Sequence, residues 1–343
     1  MKLMNENLTS SLVRMVVMSI VLCLSIPVCA SFTLAQTGPW SKQRTSSLSW
    51  LHSLYFLDQN RGWAVGSKGT ILVTTDGGLT WQSKPTSSTD VIRDIIFLDE
   101  KNGWLVCEVN LYELKTKDQP RAYLMRTTDG GEHWTRVDIK GIDVDARLVR
   151  AVFSSQKKGW IFGEAGVIYV TDDGGESWKH LLSPTRHLLL GGIFVDEFRG
   201  WIVGAGGTII QTSDGGETWY QTRFPQAPSP IRFAATCFID NRLGWAVGSG
   251  GAVYHTDNGG RTWQPQETGI DGDLLDVKFL NARDGWAVGN EGTIISTNDG
   301  GQHWVVEKSG TDHPLERVFF VDRNRGWAVG FGGTVVSYVR KMS

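Results

Sequence analysis

Short apolar runs separated by glycine-rich turns recur along this chain from about residue 40 to residue 339. They come in a fixed order. The first is bulky, as in Ser53-Leu54-Tyr55-Phe56-Leu57 or Val318-Phe319-Phe320-Val321. The second opens on Gly-Trp, as in Gly285-Trp286-Ala287-Val288-Gly289, and the third follows as Thr293-Ile294-Ile295-Ser296-Thr297 or its equivalent. A fourth, more polar run begins around another Trp, as in Thr80-Trp81-Gln82-Ser83. Apolar runs of roughly four to eight residues between turn signals predict buried strands, because a helix needs about ten or more periodic positions. Beyond the N-terminal segment, the chain carries no convincing period of 3.6 residues. The pattern predicts an all-β protein whose unit is four strands, A to D.

Spacing sets the architecture. The Gly-Trp tryptophans are Trp63, Trp104, Trp160, Trp201, Trp245, Trp286 and Trp327, at intervals of 41, 56, 41, 44, 41 and 41 residues. A second series, Trp81, Trp134, Trp178, Trp219, Trp263 and Trp304, lies 18 residues after the first in every unit except the second, where the gap is 30. A period near 40 with four short strands per unit predicts the blades of a β-propeller. The seventh unit stops at Tyr338-Val339, short of its fourth strand, whereas Gly38-Pro39-Trp40-Ser41-Lys42 reads as a fourth strand with nothing before it. Trp40 precedes Trp63 by 23 residues, the same interval as from Trp81 to Trp104 and from Trp304 to Trp327. The expectation is one seven-bladed propeller over residues 36–343, closed by the N-terminal strand around Trp40 so that no sheet edge is left open.

Between strands C and D each complete unit carries Asp-Gly-Gly or Asn-Gly-Gly, beginning at Asp76, Asp129, Asp173, Asp214, Asn258 and Asp299. A Thr stands two residues earlier and a Trp five residues later. The chemistry is that of a turn. A short carboxylate or amide accepts backbone N–H bonds, and the glycines take positive φ without steric cost. Ca²⁺ loops gather several oxygen ligands within about a dozen residues, whereas here each unit offers a single acidic position. These residues are expected to be structural, with no metal and no cofactor.

Composition adds less. The 34 Lys+Arg against 36 Asp+Glu give a formal charge of −2, which provides no global attraction to nucleic acid or anionic membrane. Fourteen of the 15 tryptophans fall on the repeat lattice and are expected in the core. Residues 1–35 read as a signal peptide or membrane anchor: Lys2 and Arg14 precede an apolar run from Met15 to Val28, with a small-residue cleavage site at Val28-Cys29-Ala30. Pro27 and Val28 depart from the small residues a lipid-attachment motif at Cys29 would need. Cys107 and Cys237 lie three repeats apart, too far in the chain for an expected disulfide, and neither belongs to a metal-binding cluster.

Functional positions are sought where the units stop matching. In a propeller the A–B and C–D turns share one face, and the B–C and D–A loops share the other. The extra residues of unit two fall in its B–C loop between Val106 and Ala122, and the two three-residue extensions precede strand A of units three and five. All the insertions therefore face away from the Asp-Gly-Gly turns, on the side expected to bind a partner. That side is rich in arginine: Arg93, Arg147, Arg150, Arg186, Arg232 and Arg317, with Lys115, Lys117 and Arg121 from the long loop. Arginine favours planar, bidentate recognition of carboxylates. The competing reading is a solvated lattice in which the arginines pair with Asp94, Asp145, Asp276 and Glu316.

The registered Asp-boxes make the repeats resemble the BNR or sialidase-type propellers over residues 40–339. A sialidase would need an Arg-Ile-Pro segment before the first blade, but Gln36–Trp40 has no Arg and Pro230-Ile231-Arg232 runs in the wrong order. The wording Arg-Gly-Trp-Ala-Val-Gly, Gly-Gly-Thr-Ile and Thr-x-Asp-Gly-Gly-x-Thr-Trp is more specific and closely resembles the photosystem II stability and assembly factor family. The resemblance implies an exported, non-catalytic propeller, not an enzyme, that binds a membrane-protein precursor through an arginine patch, to which Arg150, Arg232 and Arg317 could correspond. A monomer in the periplasm, thylakoid lumen or cell envelope is expected, with peripheral membrane association through the N-terminal segment, and the balanced charge speaks against a nucleic-acid partner. The alternative is a glycan-binding or glycosidase propeller of the sialidase or xyloglucanase type, for which Asp94 and Asp276 would be the facing carboxylates.

Overall fold

The computed structural model describes residues 38–340 apart from Pro85, Ser87, Lys115, Lys117 and residues 223–230. The expected signal segment, residues 1–35, lies outside the described residues. The strands form seven antiparallel sheets of four strands each, the blades of a β-propeller. Blade 1 runs Leu51–Phe56 (A), Gly62–Gly66 (B), Ile71–Thr74 (C) and Gln82–Lys84 (D), and blades 2 to 6 repeat that order. Blade 7 is composite. Leu315–Asp322, Arg325–Gly330 and Val335–Val339 are completed by Trp40–Gln43, with Trp40 opposite Tyr338 and Gln43 opposite Val335. This is the closure the Trp spacing predicts.

An aromatic sandwich explains the lattice of Gly, Phe and Trp. The Phe that ends strand A lies against the Gly that opens strand B of the same blade, so a Cβ on Gly62 would come within 2.5 Å of the Phe56 ring. At six of the seven joints the other side of that ring stacks on the strand B Trp of the preceding blade, Phe153 and Trp104 being the exception. Ring centroids are 3.6 Å apart for Phe56 and Trp327, 4.1 Å for Phe97 and Trp63, and 3.4 Å for Phe194 and Trp160. The second Trp then meets the same Phe edge-on, at 6.0 Å and 90° for Phe56–Trp81 and 5.8 Å and 90° for Phe279–Trp304. Trp40 stands edge-on to Phe320 at 5.9 Å and 87°, so the N-terminal strand supplies the tryptophan that unit seven lacks. Such pairs add roughly 0.5–1.5 kcal/mol each beyond the area they bury.

The stacked tryptophans also reach the next Asp-box. Trp160 Nε1 donates to the Gly215 carbonyl and Trp327 Nε1 to that of Gly77, both at 2.9 Å. Within the box, Thr74 Oγ1 accepts the Gly78 N–H at 2.8 Å, and Asp76 accepts the Thr80 N–H at 2.9 Å and its hydroxyl at 2.5 Å. These bonds hold the Asp76 carboxyl below its usual range, the Thr80 hydroxyl first among them. His133 fills the Thr slot by donating its N–H to Asp129, and Asn258 serves by donating its own amide to the Thr262 hydroxyl at 2.7 Å. Gly77 and Gly78, at φ of 72° and 89°, need the freedom that only glycine has without strain.

The two faces separate as expected. Gly77 N–H of a C–D turn donates to the Asn60 carbonyl of an A–B turn, and Ser67 N–H of a B–C turn donates to the Trp50 carbonyl before strand A. One boundary moves. The long insertion of blade 2 lengthens its hairpin, so that strands B and C become Gly103–Glu108 and Ala122–Thr127, with Glu108 opposite Ala122. Val106, Cys107 and Glu108 are therefore ladder residues, because added residues on both sides of a hairpin can satisfy each other's backbone groups. The described residues between these strands are held at both ends, by Asn110 N–H on Asp90 at 2.8 Å and Arg121 N–H on the Val144 carbonyl at 3.0 Å.

Because Trp40 is fully buried, Trp40→Ala is expected to cost about 3–5 kcal/mol. Urea denaturation checks this. An unchanged midpoint would show that the ring is stable without its closing tryptophan.

Candidate functional site

Every strand A carries the same irregularity. Pairing with strand B skips one residue, between Leu51 and Ser53, Ile92 and Asp94, Leu148 and Arg150, Leu189 and Gly191, Phe233 and Ala235, Leu274 and Asp276, and Leu315 and Arg317. A bulge re-aims side chains, and here it lets two successive residues per blade serve the centre of the ring. The skipped residues, His52, Arg93, Val149, Leu190, Ala234, Leu275 and Glu316, line one cavity of about 190 Å³ together with Arg150, Arg232 and Arg317. This is the mouth of the central channel on the face of the B–C and D–A loops. The sequence contains the signal, since strand A of blades 1, 2 and 7 reads apolar-polar-polar-apolar: Leu51-His52-Ser53-Leu54, Ile92-Arg93-Asp94-Ile95 and Leu315-Glu316-Arg317-Val318.

Beneath the mouth the channel is closed by charge. Arg317 Nη2 donates to Asp94 at 3.1 Å, and its Nη1 lies 3.9 Å from Asp276. Asp94 also accepts the Ser53 hydroxyl at 2.7 Å and the Ala151 N–H at 3.1 Å, while Asp276 accepts the Val318 N–H at 3.0 Å. Each carboxylate thus bridges its own blade to the next. Burial pushes Asp276 up to about 6, against the opposing pull of Arg150 and the Val318 N–H. Asp94 is raised for the same reason, despite Arg150 and Ser53.

Of the expected charge lattice, Asp94 and Asp276 do pair with arginine, but the network is buried and not solvated, because the bulges turn it inward. Glu316 instead accepts from His52 Nδ1–H at 2.8 Å, and His52 Nε2 lies 3.0 Å from Ser67 Oγ. Asp145 has no ion pair among the described residues; its N–H donates to Asp143.

The nine basic positions divide sharply. Glu108, which sequence reasoning missed, gathers three of them. Arg93 Nε donates to it at 2.8 Å and Arg147 Nη2 at 3.0 Å, with Arg121 Nη2 at 3.9 Å. Arg147 also donates to Glu164 at 2.9 Å. Burial alone would raise the Glu108 carboxyl, yet Arg93 and Arg147 hold it below its ordinary value. No spacing rule pointed to Glu108, because it entered the strand only through the lengthened hairpin. Arg186 is exposed before strand A of blade 4 and does not line the mouth. Lys115 and Lys117 lie outside the described residues. Two arginines remain. Arg232 is exposed and Arg150 half-buried, both line the mouth, and neither has an ion pair within 4.0 Å among the described residues. The Nε of Arg150 is buried without a hydrogen-bond partner.

Fold and site together define a class: an Asp-box propeller with an arginine-bearing channel mouth. The sequence profile described as Photosynthesis system II assembly factor YCF48 matches residues 33–122, 84–186, 178–271 and 265–339, and the chain belongs to that family. It is 27% identical over 178 residues to the Photosystem II assembly lipoprotein Ycf48 of Synechococcus sp. (strain CC9902), a match spanning 51% of this chain and 50% of that protein. Among solved structures it is similar to YCF48 bound to D1 peptide, with a TM-score of 0.74 and 19% identity over 89% of this chain and 96% of that one. It is similar also to YCF48 from Cyanidioschyzon merolae, with a TM-score of 0.70 and 20% identity over 88% and 98% of the two chains. At these identities the structural likeness establishes the fold.

The raised Asp276 carboxyl makes a signed prediction. Between its unfolded value near 3.8 and about 6, the folded protein holds the proton more tightly, so this group's contribution to stability falls as pH rises through that window. Asp276→Asn keeps an acceptor for Val318 and removes the titration. From pH 4 to pH 7 the variant should therefore gain about 2 kcal/mol relative to the parent. Denaturation of both proteins across that range tests it, and a constant difference would mean that Asp276 titrates in the ordinary range.

Proposed function

We propose that this chain is a non-catalytic assembly factor that holds a peptide of a photosystem II membrane-protein precursor at the channel mouth, with Arg150 and Arg232 taking its carboxylate. The observation that carries the reading is that these two guanidinium groups share one cavity and have no ion pair within 4.0 Å among the described residues, whereas Arg93, Arg121, Arg147 and Arg317 have theirs. A guanidinium without a carboxylate partner gains most from a planar anion that accepts two hydrogen bonds at once. The peptide-bound state of a similar propeller supports the choice of ligand. Catalysis finds little support here. Asp94 and Asp276 are sealed below the mouth by Arg317 and backbone N–H groups, and Glu316 is engaged by His52.

Export follows from the reading of residues 1–35 as a signal or anchor, and the similarity to a protein described as a lipoprotein agrees with a place at a membrane surface. Among the described residues no helix is long and apolar enough to cross a membrane. A monomer working in the periplasm, thylakoid lumen or cell envelope fits this proposal.

Fluorescence anisotropy with a labelled D1 peptide tests it. Arg232→Ala, at an exposed position, should weaken binding about tenfold, and adding Arg150→Ala should weaken it further, in line with about 1.5–3 kcal/mol for a charged hydrogen bond. Arg186→Ala should change nothing. Binding that survives the double substitution in a folded protein, checked by circular dichroism, would sink the proposal.

A further inference from the structure

We infer that Trp50 and Phe331 form an apolar platform on the rim of the mouth, which takes a large apolar side chain of the same peptide whose carboxylate enters the cavity; this rests on the function proposed above. Trp50 is the one tryptophan of the chain that lies off the repeat lattice, and it is 40% exposed. Phe331 is 46% exposed, and Leu48, two residues before Trp50, is 90% exposed. The two rings lie 5.3 Å apart at 82°, so each braces the other.

The scaffold does not require either ring. Phe331 opens the B–C turn of blade 7, where its N–H donates to the Pro314 carbonyl. The same bond is made by Ser67, Glu164, Ala205, Ser249 and Asn290 in the other blades that have the short turn. A small or polar residue therefore serves the fold there. His313, which packs against Phe331 at 5.6 Å, bonds Thr334, and His187 bonds Thr208 in the same way in blade 4, where the turn residue is Ala205. The histidine belongs to the repeat, and the phenylalanine is an addition. Trp50 likewise stands at the position before strand A that Arg232 occupies in blade 5, since each gives its carbonyl to the following turn. Exposed aromatic rings retained where the fold accepts Ser or Ala are the kind of residue that anchors a partner.

The platform is continuous with the mouth. Trp50 lies 5.5 Å from His52, and His52 is part of the cavity wall and bonded to Glu316. An extended peptide with its carboxylate at Arg150 and Arg232 thus has an apolar surface on the same rim. Asp312, exposed in the adjoining loop, and Glu316 count against an anionic lipid surface as the occupant.

A double-mutant cycle with the D1 peptide tests the inference. Trp50→Ala combined with Phe331→Ser, the residue found at Ser67 and Ser249, should weaken binding about tenfold while leaving its dependence on Arg232 intact. Replacing the large apolar residues of the peptide by Ala, one at a time, should reveal one whose loss weakens binding to the parent protein but not to the double variant. Unchanged affinity in the double variant, or no coupled peptide position, overturns the platform alone. Equal peptide affinity with loss of self-association in sedimentation, or with loss of binding to anionic vesicles, overturns it in favour of a second copy or a lipid surface. A parent protein that does not bind the D1 peptide overturns the proposed function, and this inference with it.

Discussion

The ring depends on one packing constraint: a phenylalanine that lies on the glycine of its own blade and stacks on the tryptophan of the blade before it. Neither partner can be exchanged freely. A side chain on the glycine would enter the ring of the Phe, and a smaller residue in place of the Trp would leave that ring facing a void. Because the stack crosses from blade to blade, its geometry fixes the angle between neighbours and so the size of the circle. The Asp-box is tied into the same joint through the indole N–H, which ends on a glycine carbonyl of the next blade's turn. Turn, core and closure are therefore one device used repeatedly, and Trp40 is the copy that crosses the gap between the two ends of the chain.

A scaffold held at its outer joints leaves the inner strands free to carry something other than apolar residues. The bulge in each strand A uses that freedom, since it turns two residues inward where regular alternation would turn one. Asp94 and Asp276 then cross to the neighbouring blade's backbone, and Arg317 neutralises them across the channel. Buried ion pairs of this kind add little net stability compared with apolar packing. Their effect here is geometric. They place a buried, paired cluster of charge beneath the mouth.

How much of this was legible in the chain follows from what repeats. Blade number, closure at Trp40 and the structural role of Asp76 and its counterparts could be read because each is set by local spacing that recurs, so the copies check one another. The bulge left a readable trace as well, in doublets such as Arg93-Asp94, but a strict alternation of sides in a strand hides it. Glu108 was not legible at all. It looks like an ordinary loop residue until the inserted segment is seen to prolong the hairpin, and only then does it meet Arg93 and Arg147 from two different blades. Pairings of that sort join positions with no common spacing, and nothing in a single sequence ranks them.

The same distinction governs the reading of the arginines. Counting them by position suggested a broad basic face, but a guanidinium contributes to recognition only in so far as its charge and donors are not already spent on the protein's own carboxylates. Glu108 removes Arg93, Arg121 and Arg147 from that count, and the Asp94–Asp276 pair removes Arg317. Arg150 makes no ion pair within 4.0 Å among the described residues but still pulls on the buried Asp94 and Asp276, so the field left over is centred on Arg232 with Arg150 beside it, on one side of the basin, while the aromatic rim lies on another, beside His52. A surface uniformly coated with cations would draw any anion and orient none. One with its free charge and its exposed rings set apart around a basin imposes a direction on the extended peptide proposed above.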